Sequence, residues 1–429
     1  MISEEDKEKA ALEKRKHIRI TPMCNNNCRF CLAGEIKKEG HYSKEKIIDE
    51  MKQGIKEGNS RLILSGGEPS IHPLFIEIIK AGKKFGYKKV QTISNGRMFC
   101  NKKFILKCKT AGLDEITFSI HGHTSTLHDY LTRVPGSFEQ IKQGIKNALK
   151  LQLIVSCDVV LTKPNYKNFP DIIRFIYSLG VMEIDVLHIV PFGNAYINKE
   201  EIFYDLDDAV KYIHQGLKFA KDHDIVIWTN RLPAQYLEGF EDLIQDSTKF
   251  LDEIEGRKEH FERVLAKNEK PDCFGNRCQY CHMLSLCSEL FDRKETYCKT
   301  KKMNPLRNNS SIKNEKDVIF QFMPPGKSLI KYKKSAFKLS NVVPFLINDA
   351  KEKNIKVYFT NVPACICGKN HIYTAQKTRI TNLKEFAEDF VKRNKIKRLS
   401  CKKCELNDEC DGIYQKYVQV FGFEELIPQ

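Results

Sequence analysis

The chain has 429 residues, 41% of them hydrophobic and 29% charged, which is typical of a soluble globular protein with more than one core. The N-terminus is charged throughout and no stretch holds the roughly 18 consecutive apolar residues of a membrane span, so we expect no secretory signal, no transmembrane helix and a cytoplasmic location. The net charge of +16 leaves a nucleic-acid partner open, but the lysines are spread along the whole chain and favour a solvated surface.

Six short β-branched runs alternate with longer amphipathic segments between residues 17 and about 195. We predict strands at 17–21, 61–65, 89–94, 115–120, 154–162 and 184–190. Helices are predicted from Ser43, as an N-cap, and from Ser137, which has Gln140 at capping-box spacing. Parallel strands joined by helical crossovers predict an α/β fold, a partial (β/α)6 TIM-like barrel followed by a Cys-rich C-terminal extension.

The extension contains an internal repeat. Residues 223–239 and 353–369 share a basic helix end, a strand, a Thr-Asn pair and a proline, and each copy is followed by C-x2-C-x5-C. The predicted division is therefore a charged N-terminal segment (1–16), the barrel core (17–195), a first cysteine module (196–300), a polar linker (301–317) and a second cysteine module (318–429).

Sixteen cysteines are too many for ordinary cytoplasmic packing, and thirteen of them lie in tight groups. Clustered thiols in a reducing compartment favour metal binding over disulfides. The groups are 24/28/31, 273/278/281/287/298, 365/367 and 401/404/410. The isolated Cys100, Cys108 and Cys157 are predicted to be small buried hydrophobic residues.

The first group directly follows the first predicted strand, where the active site of an α/β barrel is built. Cys24, Cys28 and Cys31 form C-x3-C-x2-C, which suits three irons of a cubane [4Fe–4S] cluster with the fourth iron open. A structural zinc site is the alternative, and it would need His17 or His41 to close its tetrahedron.

The second predicted strand ends in SGGEP, residues 65–69. Two glycines permit close backbone approach to a ligand, and Glu68 supplies an acceptor for an amine. With the three-cysteine loop one strand earlier, the sequence from 17 to about 195 resembles the radical S-adenosylmethionine (SAM) superfamily. The resemblance implies that SAM binds the open iron and is cleaved there to a 5′-deoxyadenosyl radical, which abstracts a substrate hydrogen.

The resemblance also implies a set of SAM-binding residues at the ends of successive strands. In chain order these are Gly66, Gly67, Glu68 and Pro69 of the GGEP motif, Ser94 and Asn95 after the third strand, Ser119 and Arg133 for the SAM carboxylate, and Asn165 after the fifth strand. The end of the sixth strand, HIVPFG, is implied to line the adenine.

The two tail modules resemble SPASM/twitch extensions of the same superfamily, which carry auxiliary [4Fe–4S] clusters. The resemblance implies one ligand set of Cys273, Cys278, Cys281 and Cys287, and a second of Cys401, Cys404 and Cys410 with either Cys365 or Cys367. Tyr414 stands where the SPASM pattern has a further cysteine, and Cys298 is a spare candidate. Zinc in these modules remains an alternative, because C-x2-C serves both metals.

The expected function is that of a radical SAM enzyme with SAM and three [4Fe–4S] clusters, one binding SAM and two auxiliary. A ribosomally made peptide or protein is the favoured substrate, because SPASM/twitch relatives often mature such peptides. The alternatives are modification of tRNA or another nucleic acid, and a small-molecule dehydrogenase or cofactor-biosynthesis reaction. An electron donor such as flavodoxin or ferredoxin is expected as a partner, and the residues that contact the substrate are not identified by any motif.

Overall fold

In the computed structural model the chain divides into two compact units, and the boundary in the sequence lies between Arg231 and Leu232. The described residues are 13–34, 40–245, 251–267 without 252 and 255, 270, 273–290, 318–322, 336–352, 357–367, 383–392, 394–408 and 410–428. Most of the charged N-terminal segment, the predicted linker at 301–317 and Cys298 lie outside these residues.

The first unit is built on one sheet of seven parallel strands in chain order, β1 to β7. The strands are β1 (Arg15–Thr21), β2 (Arg61–Gly66), β3 (Lys89–Ser94), β4 (Glu115–Ser119), β5 (Ile154–Leu161), β6 (Glu183–His188) and β7 (Val226–Asn230). The predicted partial α/β barrel is confirmed. The sheet has one more strand than we predicted, because the strand of the first repeat copy pairs in parallel with β6.

Helices connect successive strands of this sheet and cover its outer face. They are α1 (Lys44–Lys56), α2 (Phe75–Lys84), α3 (Lys102–Thr110), α4 (Ser125–Thr132), α5 (Ser137–Lys150), α6 (Phe169–Ser178), α7 (Gly193–Ile197), α8 (Lys199–Ile202) and α9 (Leu206–Asp222). Ser43 caps α1 as predicted, with its hydroxyl accepting from the Lys46 N–H. The capping box at Ser137 is wrong: Gly136, with a φ of 80°, is the N-cap, and the Ser137 hydroxyl instead bonds Asp129.

Side chains along each strand alternate between the two faces of the sheet. On β5, Cys157, Val159 and Leu161 are fully buried, and Cys108 of α3 is equally buried. These two cysteines are therefore the small buried hydrophobic residues that we predicted, whereas Cys100 is partly exposed. Because all seven strands are parallel, the loops that carry the predicted site residues leave the sheet at the same edge.

The described part of the second unit contains two small sheets, five helices with defined bounds and further helical residues, 284–290 among them. β8 (Val318–Gln321) pairs in parallel with β9 (Val357–Thr360), and β10 (Lys395–Ile396) pairs antiparallel with β11 (Ile413–Tyr414). The helices are α10 (Lys258–Lys267), α11 (Leu339–Glu352), α12 (Ala364–Cys367), α13 (Leu383–Lys392) and α14 (Gln415–Phe421). None of the helices that the structure describes is long and apolar enough to cross a membrane.

The sequence repeat is also a repeat of local structure. After β7 and after β9 the chain places one residue in the left-handed region, Arg231 with φ of 64° and Asn361 with φ of 62°. Each is followed by a buried apolar residue, a proline and a four-residue helical turn, which is Ala234–Leu237 in the first copy and α12 in the second. This match places Gln235 and Cys365 at equivalent positions in the two copies.

Candidate active site

The loop after β1, which we call the cluster loop (residues 22–34), brings the three predicted thiols together. Burial, with smaller contributions from Glu68 and Cys31, raises the pKa of Cys24 to about 11. Burial also raises the pKa of Cys28, again with contributions from the other two thiols. Cys24 is exposed and the other two thiols are partly buried. Three neighbouring thiols suit a cationic iron cluster, which would offset the cost of forming thiolates.

The arrangement does not match a single-ion zinc site. Among the residues that the structure describes, no three His, Cys, Asp or Glu side chains are placed to hold one metal ion. His17 and His41, the two residues considered for closing a zinc tetrahedron, hydrogen-bond to Ser65 and Thr21 instead. Thiolates that each bind a different iron of a cubane do not need to converge on one point.

Polar side chains from distant strands hold the cluster loop in place. The Arg97 guanidinium, just after β3, donates to the Asn25 carbonyl and to Asn26 Oδ1. On the other side, Asn194 of α7 donates through Nδ2 to the Cys28 carbonyl at 2.8 Å, and its main-chain N–H donates to the Cys31 carbonyl at 2.8 Å. Asn198 donates to the Arg29 carbonyl at 2.9 Å. Sequence reasoning missed these residues.

The two glycines of the GGEP motif serve the close approach of β2 to the start of the cluster loop. A Cβ on Gly66 would lie 2.2 Å from the Thr21 carbonyl oxygen, and a Cβ on Gly67 would lie 2.1 Å from the Met23 carbonyl oxygen. The Gly67 and Glu68 N–H groups donate to those same two carbonyls, each at 2.7 Å. The motif therefore fixes the cluster loop directly, in addition to any contact with a ligand.

Glu68 is 1% exposed and lies at the centre of the site. Its Oε1 accepts from the Ser70 N–H, the Ser70 hydroxyl and, at 2.7 Å, the Ser94 hydroxyl. Its Oε2 accepts from the Asn95 N–H at 2.7 Å. Burial raises the pKa of Glu68, and these hydrogen bonds oppose the increase. Oε2 keeps the capacity for a further donor, such as an amine.

Asn95 and Pro69 also lie around Glu68. Asn95 donates to Asn25 Oδ1 at 2.7 Å and contacts the Cys24 sulfur at 3.9 Å, so it links the end of β3 to the cluster loop. Pro69 begins the short helical turn Pro69–Ile71 that Glu68 caps. Together, Gly66 to Pro69, Ser94 and Asn95 surround one carboxylate beside one cluster thiol.

The other predicted SAM-binding residues lie farther along the sheet. Ser119 ends β4 and hydrogen-bonds to Asp158 of β5. Arg133 ends α4 with a φ of 57°, is exposed, and donates to Asn198 at 3.2 Å. Both remain predictions for the SAM carboxylate.

Asn165 is fully buried, and its side chain is occupied by the protein itself. Oδ1 accepts from the Thr162 N–H and hydroxyl, and Nδ2 donates to the carbonyls of His121 and Val160. An amide side chain has two donor hydrogens and two acceptor lone pairs, so none remains for SAM. The geometry therefore assigns Asn165 to fixing the loop after β5 and does not favour the contact with SAM that the resemblance implied.

Four thiols come together in the first cysteine module. Burial raises the pKa of Cys287 to about 12, with smaller contributions from Cys281, Cys273 and Cys278. Cys281 and Cys287 pack against an apolar cluster that includes Phe261, Met283 and Phe386. The hydrophobic side chains thereby place two thiols of the set against a rigid core.

Four thiols also line one cavity in the second module, and the fourth is Cys365. The cavity is lined by Cys365, Cys401, Cys404 and Cys410, together with residues that include Lys397 and Asn407. Cys367 is buried and donates to the carbonyls of Val362 and Pro363. Tyr414 lies in β11 with its ring against Phe322, so it takes part in core packing.

Comparisons with known proteins agree with this site. Residues 18–176 match the family model described as the Radical SAM superfamily. A probable GTP 3′,8-cyclase of Saccharolobus islandicus (strain M.14.25 / Kamchatka #1) is 32% identical over 210 residues, which cover 48% of this chain and 67% of that protein. The probable GTP 3′,8-cyclase of Sulfurisphaera tokodaii is 32% identical over 178 residues, covering 41% of this chain and 56% of its own.

Solved structures give similar neighbours at lower identity. Streptococcus suis SuiB bound to precursor peptide SuiA has a TM-score of 0.45 and 16% identity, and the match covers 64% of this chain and 58% of SuiB. Methylornithine synthase (PylB) has a TM-score of 0.41 and 15% identity, covering 55% of this chain and 72% of its own. From the cluster loop, the Glu68 environment and the similarity in sequence, we conclude that the chain belongs to the radical SAM superfamily.

Proposed function

We propose that this radical SAM enzyme removes a hydrogen atom and then an electron from a ribosomally made peptide or protein, using SAM, one SAM-binding [4Fe–4S] cluster and two auxiliary clusters. The observation that carries the proposal is the contrast between the thiol sets. The cluster loop supplies three thiols, whereas each cysteine module supplies four.

Ligand number decides what each cluster is able to do. Four thiolates occupy all four irons of a cubane, so the two auxiliary sites have no iron left to bind a substrate. Three thiolates leave one iron open, which supports SAM binding at the cluster loop alone. We therefore assign the auxiliary clusters to electron transfer, with Cys273, Cys278, Cys281 and Cys287 in one set and Cys365, Cys401, Cys404 and Cys410 in the other.

The chain's own residues would hold SAM and orient it. The Glu68 carboxylate, held by Ser70, Ser94 and Asn95, is an acceptor for the SAM amine. Gly66, Gly67 and Arg97 keep the cluster loop against this carboxylate. When bound, the SAM-binding cluster supplies the electron that cleaves SAM and so starts the radical reaction.

Electrons and protons balance in the proposed oxidation. Loss of one hydrogen atom to the 5′-deoxyadenosyl radical, followed by loss of one electron and one proton, oxidises the substrate by two electrons. The auxiliary clusters, which the two four-thiol sets would hold, would supply an acceptor for that electron, an external electron-transfer protein such as flavodoxin or ferredoxin would take it up, and the proton would leave to solvent. The two hydrogens removed leave the substrate with a new bond, for example a thioether, a carbon–carbon crosslink or a double bond.

A second candidate comes from the relatives named probable GTP 3′,8-cyclase. Their similarity spans 48% of this chain and favours a small-molecule reaction of cofactor biosynthesis. GTP is therefore the first small molecule to test. The resemblance of both cysteine modules to SPASM/twitch extensions, many of which belong to peptide maturases, favours the peptide.

The test is to reconstitute the full chain anaerobically and measure 5′-deoxyadenosine after reduction. Wild type should form it, Cys28→Ala should not, and Cys404→Ala should still cleave SAM but yield no product. Cys100→Ala, which changes an isolated cysteine outside all three thiol sets, is the control. Peptides encoded beside the gene are compared with GTP by mass spectrometry. Turnover of GTP and of no peptide would reject the peptide assignment, and absence of SAM cleavage by wild type would reject the whole proposal.

A further inference from the structure

His121, two residues beyond the end of β4, has no role in the proposed function, yet its ring contacts the cluster loop. It is 3% exposed. Its ring Nδ1 accepts from the Val160 N–H of β5 at 3.2 Å. Its own main-chain N–H donates to His128 Nδ1 at 3.2 Å, and its carbonyl accepts from Asn165 at 3.0 Å. The residue is held by α4, β5 and the loop after β5.

These contacts fix both the ring orientation and its tautomer. Because a main-chain N–H donates to Nδ1, the neutral ring must carry its hydrogen on Nε2. Burial lowers the pKa of His121 well below its ordinary value, with a smaller contribution from His128, so the ring is uncharged near neutral pH. The His121 and His128 rings are nearly parallel, with centroids 6.1 Å apart and an interplanar angle of 6°.

The His121 ring contacts the cluster loop through the ring of Phe30. The two rings make an edge contact, with centroids 4.5 Å apart and planes at 70°. Phe30 is 8% exposed and lies between Cys28 and Cys31 in the sequence. It packs in a small apolar cluster with Leu131, Ile189, Ala195 and Ile202, and Cys28 packs against the same cluster.

We propose that His121 is a positioning residue for the cluster loop, which acts through Phe30 to set where Cys28 and Cys31 hold the SAM-binding cluster. The inference rests on the proposed SAM site. The backbone of the loop is already fixed by Asn27 and Arg29, whose N–H groups donate to the carbonyls of Thr132 and Leu131. These main-chain bonds leave the side-chain packing between the two cysteines to be set. Phe30 is the one apolar side chain there, because Arg29 pairs with Glu201 instead.

The consequence is a dependence of SAM binding on a contact remote from SAM. Displacements of about 1 Å in a reactive site cost up to about 100-fold in rate. Loss of the contact between His121 and Phe30 should therefore have a measurable effect on SAM binding. His121 is also linked to the loop after β5 by Asn165, which donates to the carbonyls of both His121 and Val160 at 3.0 Å.

The test is a double-mutant cycle with His121→Asn and Phe30→Leu, read by SAM affinity and by the electron paramagnetic resonance (EPR) spectrum of the reduced cluster. Asn keeps an acceptor in place of Nδ1 but removes the ring from Phe30. Each single variant should bind SAM about tenfold more weakly and shift the EPR signal, and the double variant should be no worse than either single. His128→Asn, which keeps an acceptor for the His121 N–H without touching Phe30, is the matched control.

Additive losses of about 100-fold in the double variant would show that His121 does not act through Phe30, and would overturn the inference. So would a His121→Asn variant with the SAM affinity and EPR spectrum of wild type. If His121→Asn fails to load its cluster, Phe30→Leu alone decides the question, because it keeps every hydrogen bond of His121: weaker SAM binding supports the proposal, and wild-type SAM affinity refutes it. Reductive SAM cleavage by wild type is measured first, so that failure of the proposed function is recognised separately.

Discussion

The Glu68 carboxylate accepts a hydrogen bond of 2.7 Å from the main-chain N–H of Asn95, across the gap between the ends of β2 and β3. Three more donors, from Ser70 and Ser94, fill its other oxygen. Burial raises the pKa of this carboxyl, and the four donors oppose that increase by stabilising its ionised form. The GGEP motif therefore has two functions: Glu68 is a preformed hydrogen-bond acceptor, and the two glycines pack against the cluster loop.

Replacement of Glu68 by Gln should weaken SAM binding about tenfold or more, because it removes the charge that favours the SAM amine. It should also cost about 1–3 kcal/mol of unfolding free energy, since an amide NH2 would face N–H and O–H donors. Equilibrium dialysis of SAM and denaturant unfolding measure the two effects. Glu77→Gln, an exposed carboxylate paired with Lys44, is the control and should change neither.

Cys365→Ser should remove one of the three clusters, whereas Cys367→Ser should leave all three. The reason is geometric: Cys365 lines the cavity with Cys401, Cys404 and Cys410, while Cys367 donates to nearby carbonyls. Iron and sulfide content and Mössbauer spectra of the reconstituted protein measure the difference. Loss of a cluster in Cys367→Ser with full loading in Cys365→Ser would show that the ligand assignment is reversed.

Much of the site was predictable because its chemistry is local in sequence. The cluster-loop cysteines, the GGEP motif and both C-x2-C-x5-C groups are short motifs whose spacing carries their meaning. The choice between Cys365 and Cys367 was not predictable, since it depends on which of them lies beside Cys401, Cys404 and Cys410 in the folded chain. Asn165 matches the family in position, but its four hydrogen bonds are visible only in three dimensions.

Residues that support the cluster loop escaped prediction for a similar reason. Arg97 lies 72 residues from the carbonyl it contacts, and Asn194 lies 166 residues from Cys28. No local periodicity marks such contacts. The sequence around β7 matches that around β9, so we assigned both strands to the repeated module. In the structure β7 joins the main sheet beside β6, whereas β9 pairs with β8.

Gly67→Ala should displace the cluster loop and lower cluster loading, with SAM cleavage slower by about tenfold or more. The new Cβ would meet main-chain atoms of Met23, which cannot rotate away. Gly86→Ala is the matched control, because Gly86 has a φ of 97° and open space around it. That variant should lose about 1 kcal/mol of stability from backbone strain and keep a normal cluster content. Equal cluster content in both variants would contradict the steric argument.

His128 makes the stability of the protein sensitive to acid. It is 1% exposed, and burial lowers its pKa to about 4, against an opposing effect of Asp129. The unfolded chain binds a proton at this side chain below about pH 6.5, whereas the folded chain does so only near pH 4. Stability is therefore lost as the pH falls from about 6.5 to 4, by about 1.4 kcal/mol for each pH unit from this group.

His128→Asn should remove this share of the pH dependence, since Asn does not titrate and still offers an acceptor to the His121 N–H. The variant is expected to be less stable than wild type near pH 7.5, because the smaller side chain fills the site less well, and to approach wild type near pH 5. Anaerobic urea unfolding of both proteins at matched pH values gives the two curves. If the stability curves of the two proteins stay parallel across this pH range, His128 does not change its protonation differently in the folded and unfolded chains. The assignment of the acid sensitivity to this imidazole would then be wrong.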